Sequence, residues 1–292
     1  MPASGSPQTL NARNASDIVG RRLSRAGDGA LPQALASVVR HLHEVILEVR
    51  PTAAQWRDAV TFLTEVGHAS DERRQEWVLL SDLLGITALI EEINSQRPRG
   101  ATPNTPRGPF YRADAPRLPL GADICLDGRG EPLEVSGRVV DLDGKPVAGA
   151  IVETWQANGQ GLYENQQPDL QPEFNLRGSF RTDAAGRFYY RTVKPAGYKV
   201  PDDGPAGQLL DSIGYPLRRP AHLHFLVRAG GFETITTQIF DRADPALNED
   251  ATFCVKPELV ASFGCASGDD GLRWTLELDL VMARDRNARA AS

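Results

Sequence analysis

Apolar positions along this chain keep two different periods. From Leu31 to about Asn94 the spacing is helical, and Leu35, Val38, Val39, Leu42, Ile46 and Val49 fall on one stripe of an amphipathic helix. Pro51 interrupts the run. Thr52 with Gln55 then reads as a capping box that opens a second helix, with Trp56, Ala59, Val60 and Leu63 on its apolar face and Gly67 at its end. A third helix is predicted from about Asp71 to Leu84, with Trp77, Leu80 and Leu84 inward. Gly85 breaks it before Ile86, Leu89, Ile90 and Ile93 continue. These stripes predict core packing.

Beyond Asn94 the period changes. The proline-rich stretch "SQRPRGATPNTPRGP" (Ser95–Pro109) reads as a linker or a wrapping segment. Short β-like runs follow, with turn chemistry between them. "EVSGRVVDLDGKPVAGAIVETW" reads as a strand, an Asp143-Gly144 turn and a strand, and "SFRTDAAGRFYYRTV" repeats the pattern around Asp183 to Gly186. "AHLHFLVR", "ETITTQIF" and "LRWTLELDLVM" add further strands without helices between them. The pattern predicts a mainly β protein with α: an antiparallel β-sandwich preceded by a helical domain. The expected division is a loose arm at 1–30, a helical domain at 31–105 and the sandwich at 106–292.

Composition narrows the picture. The chain has 292 residues, with 41% apolar and 24% charged positions, as in ordinary globular proteins. No apolar run approaches the roughly 20 residues that span a bilayer. A net charge of −6 offers no basic footprint for nucleic acid. The N-terminal "MPASGSPQTLNARNAS" lacks the apolar centre of a secretory signal. Three cysteines (Cys125, Cys254 and Cys265) form no C-x-x-C, which disfavours a disulfide framework or a thiolate zinc site and fits a reducing cytoplasm.

One strand carries unexpected polarity. In "RPAHLHFLVR" (Arg219–Arg228), His222 and His224 share one face of a strand that is otherwise apolar on both sides. "HLH" also occurs at His41–His43, but on a helix positions i and i+2 do not face each other. Two imidazoles in a dry strand need a common partner: backbone carbonyls, or a metal ion. Asp202, Asp203 or Asp211 would complete a two-histidine, one-carboxylate iron(II) site. Tyrosine is the other oxygen donor, from Tyr163, Tyr198 or Tyr215, whereas Tyr189 and Tyr190 read as packing aromatics. A phenol has a pKa near 10 and ligates as phenolate only under a strongly Lewis-acidic ion, above all iron(III).

At these residues the sequence resembles the intradiol ring-cleavage dioxygenases, the catechol and hydroxyquinol 1,2-dioxygenase family. The carriers are "RGPFYRADAP" (Arg107–Pro116), "GRVVDLDGKPVAGAIVETWQANGQGLYE" (Gly137–Glu164), "GYKVPDDGP" (Gly197–Pro205) and "RPAHLHF" (Arg219–Phe225). Alone, "DLDGKPVAGAIVE" also resembles transthyretin-like modules, which bind rather than catalyse. The resemblance implies a non-haem iron(III) held by Tyr163, Tyr198, His222 and His224. With a hydroxide, the two tyrosinates bring the ion's charge to zero, a tolerable state for a buried site. A catechol dianion replacing the hydroxide and one tyrosinate, here Tyr198, keeps that sum, and the departing Tyr198 takes up a proton. Arg219 and Gln238 match positions beside the substrate, with Arg219 stabilising negative charge on the ring.

The same resemblance places Leu79 and Asp82 of "LLSDLLG" in the substrate pocket. Asp82 there would accept a hydrogen bond from a third ring hydroxyl, which favours hydroxyquinol (benzene-1,2,4-triol) over catechol. Pro106, Gly108, Pro109 and Phe110 from "PRGPF", and Thr252 before "FCVK", complete the implied pocket. Pro106-Arg107 departs from the aliphatic residues usual before "GPF" in the hydroxyquinol branch, so Arg107 either points to solvent or admits an acidic ring substituent. The helical domain implies a homodimer with a lipid-lined channel, and dioxygen as co-substrate.

Overall fold

The computed structural model describes residues 9–25, 29–71, 74–268 and 271–285, in two compact units, 1–65 and 66–292. The first unit is helical. Helix α1 (Ala15–Ser24) occupies part of the stretch expected to be a loose arm. Asp17 in its first turn and Arg21 and Arg22 in its last complement the helix dipole, and Ile18 is buried. Helix α2 (Ala30–Val49) ends at Arg50 in a left-handed conformation, φ 51°. Helix α3 (Ala53–His68) opens with the expected capping box: Thr52 N–H donates to Gln55 Oε1 at 2.9 Å, and Gln55 N–H to Thr52 Oγ1 at 3.2 Å.

The apolar stripe of α2 does not pack as core. Leu35, Val38, Leu42, Ile46 and Val49 are all exposed, as are Trp56, Val60 and Leu63 on α3. Amphipathic spacing identifies a face that favours burial, but not whether its partner lies in the same chain. His41 bonds Arg40 and Glu44 while His43 bonds Ser16, so this pair diverges as helical spacing requires.

In the second unit, helix α4 (Glu76–Leu83) begins later than expected. Ahead of it, Arg74 N–H donates to the Asp71 carboxylate at 2.7 Å. Leu80 and Leu83 face inward, whereas Trp77 and Leu84 are exposed. Gly85, at φ 71°, starts helix α5 (Ile86–Asn94), whose Ile86, Leu89, Ile90 and Ile93 are also exposed. Ser95–Pro109 is a wrapping segment. Arg97 donates to the carbonyls of Thr102, Glu233 and Thr234, and Thr105 N–H to the Thr236 carbonyl.

The strands form two main sheets. One has the order β10-β11-β1-β4, from β10 (Gly264–Gly268), β11 (Gly271–Met282), β1 (Pro132–Asp141) and β4 (Arg187–Val193). The other has the order β3-β2-β7-β8-β9, from β3 (Arg177–Arg181), β2 (Ile151–Gln156), β7 (His222–Arg228), β8 (Ile235–Asp241) and β9 (Val260–Ala261). Leu133, Val135, Phe188, Leu276 and Leu280 of one sheet and Val152, Phe180, Phe225, Val227 and Phe240 of the other form the buried core.

The sheets are mixed rather than purely antiparallel, because β1 pairs β11 and β8 pairs β9 in parallel. The two expected hairpins are also corrected. Both turns form, with Gly144 N–H on the Asp141 carbonyl at 2.9 Å and Gly186 N–H on the Asp183 carbonyl at 3.0 Å. Yet β1 and β2 lie in different sheets, as do β3 and β4. Each turn carries the chain across the sandwich, which lets both strands bury an apolar face in one core.

Candidate active site

Strand β7 lies inside its sheet, between β2 and β8, and six of its seven residues are buried. Register fixes what surrounds the histidines. His224 stands opposite Trp155 of β2 on one side and Gln238 of β8 on the other, and His222 stands opposite Phe240. Directly opposed residues share a face, so the Trp155 indole stacks on the His224 ring, centroids 4.6 Å apart and 9° from parallel.

Tyr163 arrives from the loop after β2. The Gln166 side chain accepts its backbone N–H at 2.9 Å and the Phe110 ring stacks on its own at 4.2 Å. Tyr198 belongs to a two-stranded ribbon of β5 (Tyr198–Lys199) and β6 (Arg218–Arg219), where it pairs directly with Arg219. That approach needs glycines. A Cβ on Gly161, at φ 81°, would lie 2.7 Å from Tyr198 Cβ, and one on Gly197 would lie 2.7 Å from the Arg219 carbonyl.

The four rings converge. His222 Nε2 lies 3.2 Å from His224 Nε2, and His224 Nε2 lies 3.1 Å from Tyr163 Oη. The Tyr198 ring stands 6.1 Å from that of Tyr163 and 5.8 Å from that of His222, centroid to centroid. His222 donates Nδ1–H to the Pro220 carbonyl at 2.7 Å, which leaves a lone pair on Nε2. His224 Nδ1 is buried without a partner. Burial, then the neighbouring Arg219 charge, pushes His222 down to about 3; burial and its neighbouring cations hold His224 well below its ordinary value. Both imidazoles are therefore neutral. Burial, reinforced by Tyr198, holds the Tyr163 phenol well above its ordinary value despite Arg219 and Arg177.

This donor set fits a strongly Lewis-acidic cation. Two neutral imidazoles and a buried phenol meet at about 3 Å, and only such an ion would draw the proton from Tyr163. The carboxylate alternative fails. Asp202 and Asp211 pair with Lys199, and Asp203 with Arg74, all on the surface. Among the described residues no three His, Cys, Asp or Glu side chains converge. Tyr215 donates to the Leu83 carbonyl at 2.9 Å, away from the rings. Tyr190 packs on Phe180 and Tyr189 is exposed.

Beside the rings lies a mainly apolar cavity of about 340 Å³. Tyr198, Arg219 and Gln238 line it, as do Leu79, Asp82, Pro106, Gly108, Pro109, Phe110 and Thr252. One Asp82 carboxylate oxygen is buried with no hydrogen-bond partner. Burial raises its pKa, against the pull of Thr87 and Arg219. Arg107 does not line the cavity; its guanidinium lies over the Tyr111 ring at 4.7 Å.

Chain comparisons agree with this geometry. Residues 31–102 match the family model described as the catechol dioxygenase N terminus, and residues 108–282 match the dioxygenase model. The chain belongs to the intradiol ring-cleavage dioxygenases. It is 46% identical to the hydroxyquinol 1,2-dioxygenase of Rhizobium sp. (strain MTP-10005), over 94% of this chain and 96% of that one. It is 41% identical to the 6-chlorohydroxyquinol 1,2-dioxygenase of Cupriavidus pinatubonensis, over 94% and 98%. The crystal structure of hydroxyquinol 1,2-dioxygenase from Pseudomonas putida DLL-E4 aligns with a TM-score of 0.89 at 36% identity, covering 94% of this chain and 99% of that one. A binding module without catalysis is thereby set aside.

Several residues around the dioxygenase site carry no signal in the sequence. Trp155 is placed by register, which local patterns do not give. Glu164 and Arg177 form a buried bidentate pair at 2.7 Å beneath Tyr163, and Arg177 also donates to the Phe110 carbonyl. Asp250 binds Arg219, and Cys254 adds a buried thiol to the cavity wall. A buried arginine demands an anion, but with 38 acidic residues in the chain that rule names none of them.

Proposed function

We propose that this dioxygenase opens the ring of hydroxyquinol with dioxygen at a non-haem iron(III), giving 3-hydroxy-cis,cis-muconate and its tautomer maleylacetate. The observation that carries the choice of substrate is Asp82, a residue of the cavity wall whose carboxylate has one buried oxygen without a hydrogen-bond partner. A buried acceptor without a donor is costly, and a third ring hydroxyl would supply that donor. The names borne by the Rhizobium and Cupriavidus relatives agree with this reading.

His222, His224, Tyr163 and Tyr198 would hold the iron. When bound, the ion supplies Lewis acidity that favours the deprotonated diol and makes its ring reactive toward dioxygen. The chain's own residues do the rest. Tyr198 lines the cavity while Tyr163 is fully buried, so Tyr198 is the phenolic oxygen placed to take a proton from an incoming diol. Arg219 presents its guanidinium where negative charge would develop on the ring, and Gln238 steadies it. Leu79, Pro109 and Phe110 give the ring apolar walls, which keep water from the reacting carbon. Thr252 completes the wall beside Arg219.

The exposed apolar faces of the helices support a homodimer joined through the N-terminal helices, with lipid filling what the protein leaves open. No helix among the described residues is long and apolar enough to cross a membrane. The three free cysteines support a reducing compartment such as the cytoplasm.

Oxygen uptake measured side by side with hydroxyquinol, catechol, methylcatechol and chlorocatechol tests the choice of substrate. Hydroxyquinol is expected to give the highest kcat/KM. Asp82→Ala should lower kcat/KM for hydroxyquinol by about 10- to 100-fold, as loss of a buried charged hydrogen bond does, and leave catechol nearly unchanged. Equal losses on both substrates would remove the basis for preferring hydroxyquinol.

A further inference from the structure

Arg219 has only 6% of its surface exposed, and the groups around it leave little freedom. Its Nε–H donates to Asp250 Oδ1 at 3.0 Å, and Nη2 to Gln238 Oε1 at 2.6 Å. Gln238 in turn donates to the Pro106 carbonyl at 2.9 Å. With those two edges occupied, Nη1 is the nitrogen directed at the rings, 3.4 Å from His222 Nε2.

Asp250 is itself pinned. Cys254 N–H donates to its Oδ2 at 2.9 Å, and the Thr252 hydroxyl reaches both carboxylate oxygens at 3.2 Å. A short turn thus converges on one buried carboxylate, whose described ion-pair partner is Arg219. Coulomb attraction at this separation in a dry site is strong, but it is directional only because the carboxylate cannot rotate.

We propose that Asp250 is the positioning residue of the reaction: it aims Arg219 Nη1 into the cavity, and acts through Arg219 rather than on the substrate. This rests on the reading of Arg219 as the group that stabilises charge on the ring. Thr252 belongs to the same device, as the clamp on Asp250.

A double-mutant cycle for kcat tests it, using Asp250→Asn, Arg219→Ala and the pair, each loaded with iron and assayed by oxygen uptake. Asp250→Asn keeps the shape and removes the charge. It should lower kcat by about 10- to 100-fold, the worth of one charged hydrogen bond, with KM changed less than about threefold. The pair should be no slower than Arg219→Ala alone, because a positioning group has nothing left to position. Losses that multiply would overturn the proposal and give Asp250 a role of its own. If Arg219→Ala leaves kcat intact, the reading of Arg219 fails first and takes the proposal with it. Should Asp250→Asn not fold, Thr252→Val loosens the same carboxylate without burying a new polar group. It should lower kcat in wild type but not in Arg219→Ala, and an effect on KM alone would overturn the proposal.

Discussion

Asp82 is held in a costly environment. Burial pushes its carboxyl above the usual range, and neither Thr87 nor Arg219 restores it. A carboxyl whose folded pKa exceeds its unfolded one costs nothing while both states are protonated. The cost grows as pH rises past the unfolded value and is complete above the folded one. Asp82→Asn should therefore stabilise the substrate-free protein at pH 7, raising Tm by about 2–4 °C for each ~1 kcal/mol relieved. The gain should shrink as pH falls into the ordinary carboxylate range, which thermal melts at a series of pH values would show. A gain that grew toward low pH would contradict the burial argument. At this scale the sequence was most readable where chemistry is rare. Paired histidines and a few tyrosines stand out, and the structure brings His222, His224, Tyr163 and Tyr198 together. Asp250 and Arg177 are not readable, because carboxylates and guanidiniums are common and the fold, not local spacing, chooses their partners.

Among the elements, the turns were legible and their pairings were not. Asp143-Gly144 and Asp183–Gly186 form the turns their residues favour, but both turns link opposite sheets. Turn chemistry reports only local backbone, while strand partners depend on how two sheets share one core. The third helix starts at Glu76 rather than near Asp71 for a similar reason: the Arg74 N–H is taken by the Asp71 carboxylate, a competitor that helical spacing does not reveal. Each strand of the β5–β6 ribbon is two residues long, below what periodicity can detect, and the ribbon delivers both Tyr198 and Arg219. Its tolerance is set by Gly161. Gly161→Ala puts a methyl 2.7 Å from Tyr198 Cβ at a left-handed φ of 81°, so the Tyr198 loop must move. The variant should fold, lose at least about tenfold in kcat by the displacement argument, and show a shifted tyrosinate-to-iron visible band. An unchanged spectrum and rate would mean that Tyr198 is not held by this contact.

For the whole molecule, the division into helices followed by sheets followed from the change of period near Asn94. What periodicity could not assign was the destination of each apolar face. Leu42 is 55% exposed, and Leu35, Val38, Ile46 and Val49 on the same stripe are exposed too. Water contact with a stripe of this kind is unfavourable by roughly 25 cal/mol per Å², which a second copy of the chain would relieve. Sedimentation should thus find a dimer at micromolar concentration, and Leu42→Glu with Ile46→Glu should produce monomers. A wild-type monomer would show that the stripe serves another purpose.

The parallel pairing of β1 with β11 bears on how the chain is born. Strand β1 has its neighbour on that side only after residues 271–282 have left the ribosome, about 140 residues later. All four ring donors emerge during that interval, ahead of the strand that seals the sheet. Their sheet can order early, yet the apolar core between the sheets stays open until β11 is available to pair with β1. Closing it depends on a contact distant in sequence, and such contacts form slowly. Completion of the sandwich therefore waits on a strand in the sheet opposite the one that carries His222 and His224.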